Sequence, residues 1–323
     1  MSGVKCTNKR LITLVTALLS MALLTACGSS SYAIPYSSES IYTSISSDMV
    51  DTFASDLCVV GSDITDSSIS MSTNSCAGLF DLNNRETLYA LNVNEQVDPA
   101  SLTKIMTALV ALKYGSLDQI LTATSSVNIT ESGAQLIGLK EGDTMTLDQA
   151  LHILLIYSAN DAGMLIADNI GGSVEGFTEL MNAEAKEIGA TKCHFSNPHG
   201  LTEDDHYVTA YDMYLIFNAA MQYDVFQEII NMSSYSTVYS HSDGSSAEVN
   251  INTTNGYLKG DRTAPSSITV IGGKTGTTNA AGHCLILLAK DSSGNPYIAV
   301  IMRAEDGDTL YGEMTALLEK ITA

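Results

Sequence analysis

The helix signal is strongest at Val97-Asp-Pro-Ala-Ser-Leu-Thr-Lys-Ile-Met-Thr-Ala-Leu-Val-Ala-Leu112, which runs on into Lys113-Tyr114-Gly115. Proline does not sit inside a helix, and no breaker follows Pro99 until Gly115. A helix is therefore expected from about Ser101 to Tyr114, with Gly115 as its left-handed stop. A spacing of three puts Ser101 and Lys104 on one face. A lysine so placed can act as base toward the serine hydroxyl. The serine stands at the helix start, where free N–H groups and the positive dipole end favour a developing oxyanion. Alone the pair is cheap. With 37 Ser and 11 Lys in 323 residues, chance supplies about one S-x-x-K, and Ser2…Lys5 is a second copy.

Before this helix, Ala77 to Leu91 reads as two strands around a turn at Asn83-Asn84. After it, Thr146 and Gln149 form a capping box for an apolar helix from Leu147 to about Tyr157. Further helices are expected from about Asp161 to Ile170, from Val174 to Ile188, and from Ala210 to about Met221 behind a Thr209/Asp212 cap. The period then changes. Ser267–Ile271, His283–Lys290 and Tyr297–Arg303 are β-rich runs separated by Gly-containing turns, and Asp308 starts a last helix to about Ile321. A strand pair, helices, three strands and a helix make an α+β fold. The simplest arrangement joins the N-terminal hairpin to the C-terminal strands in one antiparallel sheet flanked by helices. Residues from about 116 to 235 then form a second, mostly helical lobe.

Two more short motifs follow the first in order. Ser158-Ala-Asn160 falls at the break between two apolar helices, where polar side chains can point into a cleft. Lys274-Thr-Gly276 occurs once, after the strand Ser267–Ile271, and continues as Thr277-Thr278. Its glycines are expected to let a ligand backbone lie close along the strand edge.

S-x-x-K on a helix, S-x-N at a helix junction and K-T-G on a strand together resemble the penicillin-binding and β-lactamase superfamily. The flanks narrow this. Val97–Leu112, Phe195-Ser-Asn-Pro-His-Gly-Leu201, His206-Tyr-Val-Thr-Ala-Tyr-Asp212 and Gly272-Gly-Lys-Thr-Gly276 look like segments of serine-type D-alanyl-D-alanine carboxypeptidases, the low-molecular-mass penicillin-binding proteins of peptidase family S11. The resemblance covers about residues 76–323. It implies that Ser101 attacks the carbonyl between two terminal D-alanines and that unprotonated Lys104 accepts its proton. A lysine base needs burial and a neighbouring cation, for which Lys274 is the candidate. Ser158 would relay a proton to the departing nitrogen, and Asn160 would hold Lys104 and the substrate amide. The N–H groups of Ser101 and Thr277 would form an oxyanion hole. Lys274, Thr275, Gly276 and Thr277 would bind the terminal carboxylate. The partners implied are peptidoglycan stem peptides and, as covalent inhibitors, β-lactams.

Rival functions are weaker. A β-lactamase of the common kind adds a glutamate after S-x-N to drive deacylation. Glu175, Glu179, Glu184, Glu187 and Glu203 follow, none in an E-x-x-L-N context. A non-catalytic wall-binding or β-lactam-sensing module would not need Lys104. His194, His199 and His206 lie close together, but nothing has the H-E-x-x-H form of a zinc peptidase, so no metal or cofactor is expected. His206 is expected to order the loop before the Thr209 helix.

Composition agrees with an exported enzyme. With 36 acidic against 15 basic residues the chain carries a net charge of −21, which disfavours nucleic-acid binding. At the N-terminus Lys5, Lys9 and Arg10 precede an uncharged run from Leu11 to Ala26, too short to span a bilayer as a helix. Leu24-Thr25-Ala26-Cys27 resembles the bacterial lipobox, which implies a signal peptide over residues 1–26 and a lipidated Cys27. Residues 27–75 are Ser-rich and free of Lys and Arg, and read as a partly disordered tether. The catalytic domain is expected over 76–323. The chain runs only 47 residues past Gly276, so no C-terminal β-sandwich is expected, and Cys27 would anchor the protein at the outer face of the cytoplasmic membrane. Cys58 and Cys76 could pair; buried free thiols are the plainer expectation.

Overall fold

In chain order the elements are β1 (Cys76–Asp81), β2 (Glu86–Leu91), α1 (Thr103–Tyr114), β3 (Ile120–Thr122), β4 (Thr144–Thr146), α2 (Leu147–His152), α3 (Asn160–Gly171), α4 (Val174–Glu187), α5 (Ala210–Ala220) and α6 (Asp224–Asn231). There follow β5 (Ser234–Ser240), β6 (Ser246–Asn252), α7 (Gly256–Lys259), β7 (Thr269–Thr278), β8 (Gly282–Lys290), β9 (Pro296–Ala304) and α8 (Gly307–Glu319). The computed structural model describes residues 54–322. The signal peptide, Cys27 and most of the tether lie outside the described residues.

The expected sheet forms. Its order is β2-β1-β9-β8-β7, all neighbours antiparallel, with β1 paired to β9 along its whole length. Asp81 closes the hairpin turn, its carboxylate accepting the N–H groups of Asn83 and Asn84. The sheet is covered on both faces. Ala77, Leu79, Leu285, Leu287, Ala289, Ala299 and Ile301 pack with Leu310, Met314, Leu317 and Leu318 of α8. The alternate residues Phe80, Cys284, Ile286, Ile298, Val300 and Met302 pack into the larger core with α1 and α5. Burial on both faces explains why these strands read as continuous apolar runs and not as alternation.

Several expectations need correcting. The second lobe is mostly helical as expected but also holds a four-stranded sheet, β3-β4-β5-β6, and its last strand ends at Asn252 and not near 235. Alternating Ala247, Val249 and Ile251 point one face of β6 inward. Gly115 is extended (φ −103°, ψ 176°), not left-handed; its tight contact with Leu147 and Ile170 is what excludes a side chain there. The helix from Leu147 does not stay regular to Tyr157. It loosens into a π-turn at Ile153–Tyr157 and ends on left-handed Ser158 (φ 71°). Lys274-Thr-Gly276 lies on a strand as expected, but that strand, β7, does not end at Ile271; it runs through the motif to Thr278.

The folded unit also begins earlier than residue 76. Cys58 N–H donates to Tyr214 Oη, and Tyr211 Oη donates to the Cys58 carbonyl. Ile64 bridges to Ala90. Ser72 N–H and Ser75 Oγ donate to the buried Glu313 carboxylate on α8. Cys58 and Cys76 are separate, buried thiols, as are the other described cysteines apart from half-buried Cys193.

Candidate active site

A 3₁₀ turn, Ala100–Leu102, leads into α1 and carries Ser101. Ala100 has φ +46°, an uncommon conformation for a residue with a side chain. The turn is held by Thr103, whose Oγ1 donates to the Ala100 carbonyl, and by His206, whose Nε2 lies 2.8 Å from that hydroxyl. Ser196 N–H donates to His206 Nδ1, so the neutral ring carries its proton on Nε2 and donates to Thr103. Burial holds His206 down at about 4 and His199 at about 3, which keeps both neutral.

Lys104 is fully buried on the first turn of α1. Its Nζ lies 2.8 Å from Ser101 Oγ, 2.7 Å from Asn160 Oδ1 and 2.6 Å from the His199 carbonyl. Two of these three partners are carbonyl oxygens, which only accept. A neutral amine must give both its N–H groups to them, and its lone pair is then left facing the Ser101 hydroxyl. Burial, and then the charge of Lys274, push Lys104 well below the usual lysine range, while Asp161 pulls the other way. Lys274, also buried, donates to Ser158 Oγ at 2.8 Å and to the Thr275 carbonyl at 2.9 Å, and burial lowers it to about 7. The π-turn and the left-handed Ser158 turn the chain so that Ser158 and Asn160 both reach the cleft.

The three motifs thus meet in one cleft of about 270 Å³, lined also by Gln135, Thr254, Thr275, Thr277 and His283. No Asp, Glu or Arg lines it among the described residues. Gly276 has a reason beyond the one expected. A Cβ there would meet Ser101 N at 2.9 Å and Ala100 Cβ at 3.1 Å, so the glycine lets β7 pass against the Ser101 turn as well as line the cleft. Gly200 backs the same turn from the other side. It has φ +88°, and a Cβ would stand 1.8 Å from the Ala100 carbonyl oxygen.

The segment Phe195–Leu201 therefore has a role that its residue types did not reveal. Asn197 Oδ1 accepts the N–H groups of His199 and Gly200, and its Nδ2 donates to the Leu201 carbonyl. That turn aims the His199 carbonyl at Lys104. A backbone carbonyl carries no residue signature; the only signal was the Asn-Pro-His-Gly turn itself. Among the described residues no group of three or more potential ligands could hold a metal ion. His194 instead meets the Asp205 carbonyl through Nδ1.

The family described as D-alanyl-D-alanine carboxypeptidase, peptidase S11, matches residues 65–306. The chain belongs to this family. D-alanyl-D-alanine carboxypeptidase DacF of Bacillus subtilis is 32% identical over 75% of this chain and 60% of its own length. D-alanyl-D-alanine carboxypeptidase DacB2 of Mycobacterium tuberculosis is 32% identical over 74% of this chain and 79% of its own. Against the first relatives, DacF and the DacC of Escherichia coli, the match spans 60% and 56% of their length. Among solved structures, the Streptomyces K15 DD-transpeptidase superposes with a TM-score of 0.69 at 25% identity, over 78% of this chain and 98% of that one. Family and fold agree with the α+β reading, antiparallel sheet and flanking helices included.

Proposed function

We propose that the protein is a serine-type D-alanyl-D-alanine carboxypeptidase that removes the terminal D-alanine from peptidoglycan stem peptides through an acyl-Ser101 intermediate. The observation that carries this is the placement of Lys104 Nζ between Ser101 Oγ and two carbonyl acceptors, which turns the lone pair of a neutral lysine toward Ser101. Neutral Lys104 takes the Oγ proton as Oγ bonds to the carbonyl carbon between the two D-alanines. The N–H groups of Ser101 and Thr277 receive the oxyanion. The C–N bond breaks as Ser158 Oγ protonates the leaving nitrogen, and Lys274 stands at 2.8 Å to restore that proton. The proton that Lys104 took from Ser101 passes through water in the cleft to Lys274, so that in sum the Ser101 proton ends on the departing amine and Lys104, Ser158 and Lys274 finish as they began. Water then adds to the ester carbonyl, passing a proton to Lys104, and Ser101 Oγ leaves with it.

Lys274, Thr275 and Thr277, with the β7 backbone at Gly276, receive the terminal carboxylate. A substrate amidated at its last residue should accordingly react poorly, and Lys274→Ala should narrow the gap between acid and amide. β-Lactams acylate the same serine. With no carboxylate lining the cleft to activate a second water, the adduct is expected to be long-lived. The test is release of D-alanine from a peptide ending in D-Ala-D-Ala, with intact-protein mass spectrometry after penicillin. The expected mass shift is absent in Ser101→Ala; a persistent adduct in that variant would remove Ser101 as nucleophile. We place the protein at the outer face of the cytoplasmic membrane through lipidated Cys27, since two acyl chains suffice for stable attachment. Cys27→Ala should move it from the detergent phase to the medium; unchanged partitioning would exclude the lipid anchor.

A further inference from the structure

Asp161 directly follows Asn160 and is almost fully buried. Its Oδ1 accepts the N–H groups of Ile137 (3.3 Å) and Ala162 (3.1 Å), and its Oδ2 those of Gly138 (2.9 Å) and Leu139 (3.1 Å). One carboxylate thus holds three consecutive amides of the loop that walls the cleft at Gly133 and Gln135. The loop is tied to the same stretch twice more, by Asn160 N–H to the Gln135 carbonyl (2.7 Å) and Gln135 Nε2 to the Tyr157 carbonyl (2.6 Å). The titratable groups coupled electrostatically to Lys104 are Lys274 from β7, His199 and His206 from the segment before α5, and Asp161 from α3. The two histidines are neutral; burial pushes the Asp161 carboxyl upward, but four N–H donors on its two oxygens favour the charged form, so Asp161 is the anion in this set.

We propose that Asp161 is a positioning residue for the reaction, fixing the 133–139 wall of the cleft and setting the charge environment in which Lys104 acts as base. This rests on the reading of Ser101 and Lys104 given above. A buried carboxylate accepting several amides is strongly committed to its place, because each amide would otherwise lie unpaired. Its negative charge favours protonated Lys104. Removing it makes the lysine easier to deprotonate and extends acylation to lower pH.

The test compares wild type with Asp161→Asn, which keeps size, loses the charge and turns one oxygen into an NH₂ facing amide donors. Two quantities are read: the pH dependence of Ser101 acylation by penicillin, and residue-resolved amide hydrogen exchange. In the variant the acid limb should move down by about one pH unit, since a nearby opposite charge is worth on the order of one to three. The Gly138 and Leu139 amides should exchange at least tenfold faster. An unchanged acid limb together with unchanged exchange overturns the proposal. A loosened loop with an unmoved acid limb overturns its electrostatic half. Should the variant not fold, wild type decides: Gly138 and Leu139 amides exchanging as fast as residues 132–134 would overturn it. The exchange arm needs no activity, so a wild type that fails to acylate counts against the Ser101 reading instead.

Discussion

Lys104 touches no carboxylate, which is unusual for a fully buried lysine and decides what it can do. A paired lysine would stay charged; this one has two carbonyls, a hydroxyl and a second buried ammonium nearby. Lys104→Arg should therefore be nearly as damaging as Lys104→Ala. Arginine keeps a charge but does not surrender its proton near neutral pH. Loss of a residue acting in a catalytic unit can cost on the order of 10⁶ in rate. Single-turnover acylation rates check this, and an arginine variant retaining a tenth of the rate would make Lys104 an electrostatic group and not the base. Gly276 is a second single-residue lever. Gly276→Ala should displace the nucleophile turn, because the added methyl meets Ser101 N and Ala100 and neither is a flexible side-chain end. Acylation should fall by at least tenfold while the folded content by circular dichroism holds; an unaffected rate would show that the turn can yield.

At the scale of elements, the site is a 3₁₀ turn pressed between β7 and the Phe195–His206 segment, and His206 is the pin between that segment and α1. A pin that must stay neutral makes the fold acid-sensitive. His206 is held at about 4 and His199 at about 3, whereas both return to the ordinary value of about 6.5 on unfolding. Between those values the unfolded chain binds more protons, so stability is lost as pH falls from about 6.5 toward 4. His206→Asn, which can still accept from Ser196 N–H, should flatten that slope in urea melts at pH 7 and pH 5. An equal slope in both proteins would mean that other groups carry the acid sensitivity. These elements also mark what could be read from residue order. Capping boxes at Thr146 and Thr209 are local and were legible, as were the three motifs, because side-chain chemistry recurs at fixed spacing. The π-turn was not, since Ile153–Ile156 is apolar throughout and hides any change of period. Strands β5 and β6 were missed although Ala247, Val249 and Ile251 alternate cleanly, because Ser, Asn and Glu between them read as loop. Asp161, the His199 carbonyl and Gly200 act through backbone, and backbone contacts leave little trace in a sequence.

For the whole folded unit, the decisive feature is that the five-stranded sheet is buried on both faces and that residues 54–75 finish the covering. Phe80 stacks on Tyr214 with ring centroids 4.0 Å apart, and Tyr211 packs beside them. Cys58 and Val60 lie buried over this cluster's surroundings, and Tyr214 is itself fully buried. On the opposite face Glu313 is a buried carboxylate whose partners, Ser72 N–H and Ser75 Oγ, both come from the same segment. A protein begun at residue 76 keeps all three motifs and every strand, so composition alone would call it complete. It would nonetheless uncover part of the aromatic cluster and strip Glu313 of both its donors, on a face that the segment helps to cover. Burial of an aliphatic side chain is worth about 1.5–3 kcal/mol, and a hydrogen bond to a charged group contributes about 1.5–3 kcal/mol. The combined loss is roughly 5 kcal/mol. At about 2–4 °C per kcal/mol for a domain of this size, the unfolding midpoint should drop by about 10–20 °C relative to a protein begun at residue 54. Thermal melts of the two proteins, each with Ser101 intact, test this directly. Midpoints within two degrees of each other would show that the segment only rests on the domain, and that the fold is complete from β1 onward.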